Sequence, residues 1–153
     1  MRRNPFARSY RELIVYQKSR EVARRVFQLT KPFPREERYA LTDQGRRASR
    51  SIGAQISEAW AKRRYPNHFI SKLSDADGEQ NETQHWLDIA TDCEYLDPAV
   101  TNEVLQQLEE IGRMLQSMMD RAEDFQGTGY DRVKETSPAY GSLAEFFLPL
   151  SEH

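Results

Sequence analysis

Apolar residues return along this chain at spacings of three and four, the mark of helices that each bury one stripe. In the first run Val15, Ser19, Val22, Val26 and Leu29 keep this spacing, with Leu13, Tyr16, Ala23 and Phe27 widening the stripe, which predicts a helix over residues 10–30. Pro32 and Pro34 end it, because each lacks an N–H and biases the residue before it towards extended backbone. A second helix is predicted from Thr42, whose hydroxyl suits an N-cap, with Asp43 at the positive end of the dipole. Leu41, Ala48, Ile52, Ile56 and Ala59 make its apolar stripe. Tyr65-Pro66-Asn67 closes that helix and opens a third, where Phe69, Leu73, Ala76, Gln80, Thr83, Leu87 and Ala90 form a heptad seam beside Trp86, Ile89 and Cys93. Residues 75–82 are unusually polar for a core helix. Asp97 and Thr101 are alternative caps for a fourth helix, whose Val104, Leu108, Ile111, Leu115, Met118, Ala122 and Phe125 alternate without a break.

Four helical patterns with short connections and no alternating strand pattern predict an all-α fold, an antiparallel up-down four-helix bundle over residues 1–125. Periodicity stops at residue 126. Gly127, Gly129, Pro138, Gly141 and Pro149 then predict an irregular C-terminal tail over 126–153. Within it Phe146-Phe147-Leu148 reads either as a segment that docks on the bundle or a partner, or as a chance apolar run in a disordered end.

The 153 residues are a one-domain length. A single cysteine excludes an internal disulfide and fits a reducing, cytoplasmic setting; inside an apolar helical pattern Cys93 is expected to be a small buried hydrophobe. The arginines of the start are not followed by the apolar run of a signal peptide, and no membrane span is expected. The net charge of −2 conceals an asymmetry. Residues 1–64 carry 17 Lys or Arg against 6 Asp or Glu, a net of +11, and residues 65–153 carry 5 against 18, a net of −13. Such a split points to a nucleic-acid surface on the first half, or to attraction between the halves within or between subunits.

Much of that positive charge sits on the second helix. By angle along the helix, Arg46, Arg50, Ser57 and Arg64 lie nearly opposite the apolar stripe. Arg46, Arg47 and Arg50, with Lys62, Arg63 and Arg64 at the helix end, read either as a solvated face or as a phosphate-binding surface. Gln44, Ser51, Gln55 and Glu58 form a third stripe, and with the small residues Gly45, Ser49 and Gly53 they are the expected oligomer interface.

These residues also carry a resemblance. Leu13, Val15, Tyr16, Gln17 and Lys18, then Glu37, Arg38, Tyr39, Leu41, Thr42, Gln44, Arg46, Arg47, Ala48, Ser51, Ile52, Ile56 and Glu58, then Phe69, Leu73, Ala76, Gly78, Glu82 and Leu87, match the motifs of one family. The chain resembles the four helix bundle proteins that include those encoded in intervening sequences of bacterial 23S ribosomal RNA genes. That family is related to the accessory proteins of diversity-generating retroelements. It departs from the family pattern at Gly53, Gln55, Ala59-Trp60 and Glu79. The resemblance implies a four-helix bundle, a homo-oligomeric ring of the pentamer type, and, from the retroelement relatives, nucleic acid and a reverse transcriptase as partners.

Catalysis has the least support. Glu82 and His85 have the spacing of half a di-iron site, but a second such pair and two further inward glutamates are missing. His85 is therefore expected on a helix flank, and no metal or other cofactor is expected. Ser51 and Cys93 have no histidine set beside them by any motif, and there is no glycine-rich phosphate loop and no Cys-x-x-Cys pair. Two readings remain: a non-catalytic oligomer that binds nucleic acid, RNA above all, or an adaptor that mediates protein–protein assembly without it. The pI near 6.0 weighs towards the second, and the clustering of arginines towards the first.

Overall fold

The seams read from the sequence become the core of an all-α structure. The computed structural model describes residues 9–127 and 143–149. Among these residues it contains α1 (Ile14–Thr30), α2 (Asp43–Ala61), α3 (Pro66–Asp92), α4 (Pro98–Asp120) and the short α5 (Ala122–Phe125), and no β-strand. Helix α1 packs on α2 and α4, and α3 packs on α2 and α4.

Each helix buries the stripe its spacing dictates. In α3 all seven seam residues, Phe69, Leu73, Ala76, Gln80, Thr83, Leu87 and Ala90, are buried, and in α4 Val104, Leu108, Ile111, Leu115 and Met118 are. A turn at Arg121 separates α4 from α5, yet Ala122 and Phe125 continue the same seam into the core. Asp97 caps α4, its Oδ1 accepting from the backbone N–H of Ala99 at 2.8 Å. Thr101, the other candidate, is buried instead and shares a 2.6 Å hydrogen bond with Thr91 of α3.

The polar middle of α3 is explained by bonds within α3 and by the space that α4 leaves for them. Gln80 Nε2 donates to Asp77 Oδ1 at 2.9 Å and Gln84 Nε2 donates to Gln80 Oε1 at 2.7 Å, so the buried amide is satisfied from its own helix. Gly112 of α4 makes room for this network, since a Cβ there would lie 2.9 Å from Gln80 Nε2. Close approach decides the residue.

Two expectations about helix ends are corrected. Thr42 does not cap α2: its backbone is already helical and its side chain makes no capping bond, because the chain enters α2 through a wide helical turn over Arg38–Thr42. Cys93 is exposed, not buried, because α3 stops at Asp92 and the chain reverses through Glu94 at φ 64°. A three–four pattern has no means of marking where its helix stops.

The largest difference concerns the tail. Leu143, Phe146 and Phe147 are buried, Phe146 and Phe147 stand 5.3 and 6.4 Å from the Phe125 ring, and Phe147 meets Trp60 edge-on at 5.8 Å. Phe147 also forms a bridge with Leu13, and the N–H of Leu148 donates to Glu12 O at 2.8 Å. The expected boundary after residue 125 therefore does not divide core from tail, because the aromatic run closes the end of the core next to α5. Gly129, Pro138, Gly141 and His153 lie outside the described residues.

Leu115 is fully buried, so Leu115→Ala is expected to cost about 2–5 kcal/mol. Phe146→Ala should cost a comparable or larger amount, about 3–5 kcal/mol, if the tail residue is as much core as the helix residue. Chemical denaturation of both variants checks this, and an unchanged midpoint for Phe146→Ala would return the tail to the surface.

Candidate functional site

The cationic residues of α2 do not stand in one row. Arg46 leans across the seam to α1. Its Nε donates to Thr30 Oγ1 at 2.8 Å, its Nη2 reaches the Phe27 carbonyl at 3.4 Å, and its guanidinium lies 4.6 Å from the centre of the Phe27 ring. Half-buried, it is not the free outward residue that its angle on α2 predicted. A long side chain lays its stem along a neighbouring helix and keeps its head at the water boundary.

Phe27 gathers two more cations. Lys31 Nζ lies 4.9 Å and the Arg50 guanidinium 5.7 Å from the ring centre. Every group that holds this cluster is neutral: a ring, a hydroxyl and a carbonyl. Among the described residues no ion pair involves Lys31, Arg46, Arg47 or Arg50. Each cation over a ring gains about 0.5–1 kcal/mol at an exposed site. Each pair of cations separated by roughly 8 Å in a water-like dielectric loses about 0.5 kcal/mol. The two effects nearly balance, so the cluster gains chiefly when an anion joins it.

Arg47 lines one surface depression with Asp43, Arg46, Arg50 and Ser51 and also reaches towards α3. It is exposed and acts on Glu79 of α3, where burial and then the neighbouring Glu82, by repulsion and by a hydrogen bond, push the Glu79 carboxyl above its ordinary range while Arg47 pulls it down. Arg63 leaves the surface altogether: it is 8 % exposed, its guanidinium is 4.0 Å from the Trp60 ring centre, and its Nη1 donates to Trp60 O at 2.8 Å. Lys62 and Arg64 are exposed beyond the end of α2. At about 1.5 Å per residue they are roughly 25 Å along the axis from Arg46. The expected six-residue surface thus divides into Arg46, Arg47 and Arg50 around one depression, the buried Arg63, and a distant helix end with Lys62 and Arg64. Lys31 and Phe27 are members that angular counting on α2 missed, since they belong to α1.

Two other cations of α1 have acids beside them. Lys18 pairs with Glu110 at 3.1 Å and Arg25 pairs with Glu103, both on α4. The attraction between the basic and acidic halves is thus partly used inside the chain, on the α4 side of α1. On the α2 side it is not.

The polar stripe expected at an interface borders α3. Glu58 pairs with Lys72 at 3.0 Å, Ser51 Oγ donates to Arg47 O at 2.8 Å, and Gln44 Nε2 donates to Tyr39 O at 3.4 Å. Gln55 Oε1 is buried with no partner. His85 is exposed and meets Trp86 edge-on at 4.9 Å; among the described residues no group of three His, Cys, Asp or Glu is placed to hold a metal ion. No described helix is long and apolar enough to cross a membrane.

The model of the 23S rRNA-intervening sequence protein family matches residues 11–117. The chain belongs to that family. A crystal structure of a protein of unknown function from the S23 ribosomal protein family of Bacteroides thetaiotaomicron is similar, with 33% identity and a TM-score of 0.61. The similarity covers 69% of this chain and 91% of that one. Among curated proteins none matches. The aromatic segment that closes the core lies beyond the matched residues.

Glu79 supplies a test of the α2–α3 flank. A carboxyl whose folded pKa is raised binds more protons in the folded than in the unfolded state, so its contribution to stability falls as pH rises from its unfolded value, near 4.5, through the folded one. Glu79→Gln is expected to raise the melting temperature at neutral pH and to flatten this fall. Arg47→Gln is expected to steepen it. Thermal melts across the acid-to-neutral range, compared with the parent, check both signs.

Proposed function

We propose that this protein is a non-catalytic, self-associating helical bundle that binds nucleic acid, RNA in preference, through the cationic seam between α1 and α2. The observation that carries the reading is the cluster of Lys31, Arg46 and Arg50 on the Phe27 ring, held by neutral partners alone. Cations fixed by a ring, a hydroxyl and a carbonyl, with Asp43 beside them but in no ion pair, present a phosphate backbone with charge that has already been ordered. The packing partners support an antiparallel up-down arrangement of the four long helices. Trp86 sits over Gly45, and Lys72 pairs with Glu58, so contacts advance along α2 as they retreat along α3. Self-association is supported by the polar α2–α3 flank, where Gln44, Ser51 and Glu58 remain at least partly accessible to a second copy.

The second reading is an adaptor without nucleic acid, and the acidic flank favours it. Asp75, Glu79 and Glu82 line α3 beside Arg47, a surface that a basic face of another subunit would complement.

The triple change of Arg46, Arg47 and Arg50 to glutamine separates the two, because it removes charge while keeping good helix formers. Expected are weaker RNA binding, a shallower dependence of affinity on salt by roughly one phosphate contact per arginine, and an unchanged oligomer. Dissociation of the oligomer, read by light scattering, would favour the adaptor. A parent protein that binds no RNA or DNA at about 50 mM salt would end the nucleic-acid reading. A species of 17.9 kDa alone at micromolar concentration would end the oligomer.

A further inference from the structure

Beside the cationic cluster the α1–α2 seam opens into a groove of about 210 Å³. Tyr10 and Tyr16 form one wall, Arg50, Ala54 and Ser57 the other, and Arg20 stands at the mouth. The two tyrosine rings meet edge-on at 4.9 Å and 85°, so their faces are not stacked on each other. Arg20 lies 5.9 Å from the Tyr16 ring centre. The volume is below the roughly 300–1,000 Å³ of a pocket for a drug-sized molecule, and suits one planar ring system.

The floor has a definite polarity. Ser19 Oγ donates to Tyr16 O at 2.6 Å, Ser49 Oγ to Arg46 O at 3.0 Å, and Ser57 Oγ, on the far wall, to Ala54 O at 2.8 Å. Each hydroxyl has given its proton to its own helix; Ser19 and Ser49 are buried, so the lone pairs of Ser57 Oγ are what this set offers a ligand. The groove therefore joins an aromatic wall, a hydroxyl acceptor on Ser57 and arginines on both sides, among them Arg50, which is also part of the Phe27 cluster. A nucleobase offers the complements: a π-face, ring and amino N–H donors, and a phosphate attached to it.

We infer that this groove takes one unstacked base of a single-stranded nucleic acid, with the adjoining phosphate on Arg50 and its neighbours. The inference rests on the proposed nucleic-acid reading and narrows it. A duplex keeps its bases stacked and paired, and so can use the cationic face but not the groove. Single strands are thus preferred, and the preference resides in Tyr16 and the groove, not in the arginines.

The test measures binding of a fluorescein-labelled oligouridylate and oligoadenylate of about 15 nucleotides, and of a duplex RNA of equal length, to the full chain. Tyr16→Leu removes the ring while keeping apolar bulk, Ser57→Leu fills the groove without removing a core contact, and Tyr16→Phe keeps the ring. Expected is a roughly ten-fold loss of single-strand affinity in both leucine variants, the scale of one stacked base, with duplex affinity unchanged and Tyr16→Phe near the parent. Equal loss for single strands and duplex, or no loss for either, overturns the groove and leaves the phosphate face standing. A parent that binds the duplex at least as tightly as the single strands also overturns it. A parent that binds neither overturns the nucleic-acid reading itself. Thermal melts of each variant show whether the fold is intact, and Ser57→Leu keeps the inference open to failure if Tyr16→Leu does not fold.

Discussion

How closely α1 approaches α2 governs the features of this molecule that matter for function. Gly53 sets the distance: a Cβ there would come within 3.2 Å of Ser19 Oγ and 3.4 Å of the Tyr16 ring. The buried Ser19 and Ser49 leave the seam thin where larger residues would fill it. Because the helices are this close, a side chain of arginine length on α2 reaches a ring and a hydroxyl on α1, as Arg46 does. Because the seam is lined with small residues, a groove remains beside it. Cation cluster and groove are two consequences of one spacing.

Charge is sorted by helix face. On its α4 side α1 sets Lys18 and Arg25 against Glu110 and Glu103. On its α2 side it presents a ring and backbone, and the arginines there are anchored by groups without charge. Exposed ion pairs contribute little to stability, commonly below about 1 kcal/mol, so the pairs with α4 do more to cancel potential than to hold helices together. Their effect is to cancel positive potential on the α4 side of α1 and leave it on the α2 side. A pI near 6.0 is then compatible with an anion-binding face, since the acids that lower it lie mainly in the second half of the chain.

The helices and their buried stripes were legible because a three–four spacing is a direct statement of which side of a helix meets the core, as the seven seam positions of α3 show. Elements that depend on a second helix were not legible. Angular counting put Arg46 opposite Ile52 and could not know that Phe27 and Thr30 would lie within its reach. Arg63 is a different case: it follows Trp60 by three residues, a local spacing at which the two side chains can meet, so the contact was legible although the burial was not. Helix ends failed for a related reason: Thr42 and Cys93 occupy suitable positions in a pattern, but the chain arrives by a wide turn in one case and reverses in the other. The aromatic run at 146–148 was visible as an anomaly, and only packing decides that its first two residues belong to the core.

That packing ties the tail to the candidate site. Residues 143–149 meet the helices at the start of α1, through the Leu13–Phe147 bridge and the hydrogen bond from Leu148 to Glu12. The same short stretch is a helical turn over Tyr10–Glu12, capped by Ser9. Tyr10 is the outer wall of the groove, and its ring orients Tyr16 by an edge-on contact. A turn of three residues has too few hydrogen bonds to hold a wall by itself. Fixed on one side by α1 and on the other by the buried aromatics of the tail, it becomes part of a rigid element. The C-terminal segment, which lies beyond the residues matched to the family, thus meets the turn that carries the outer wall of the groove, from more than a hundred positions away in the chain.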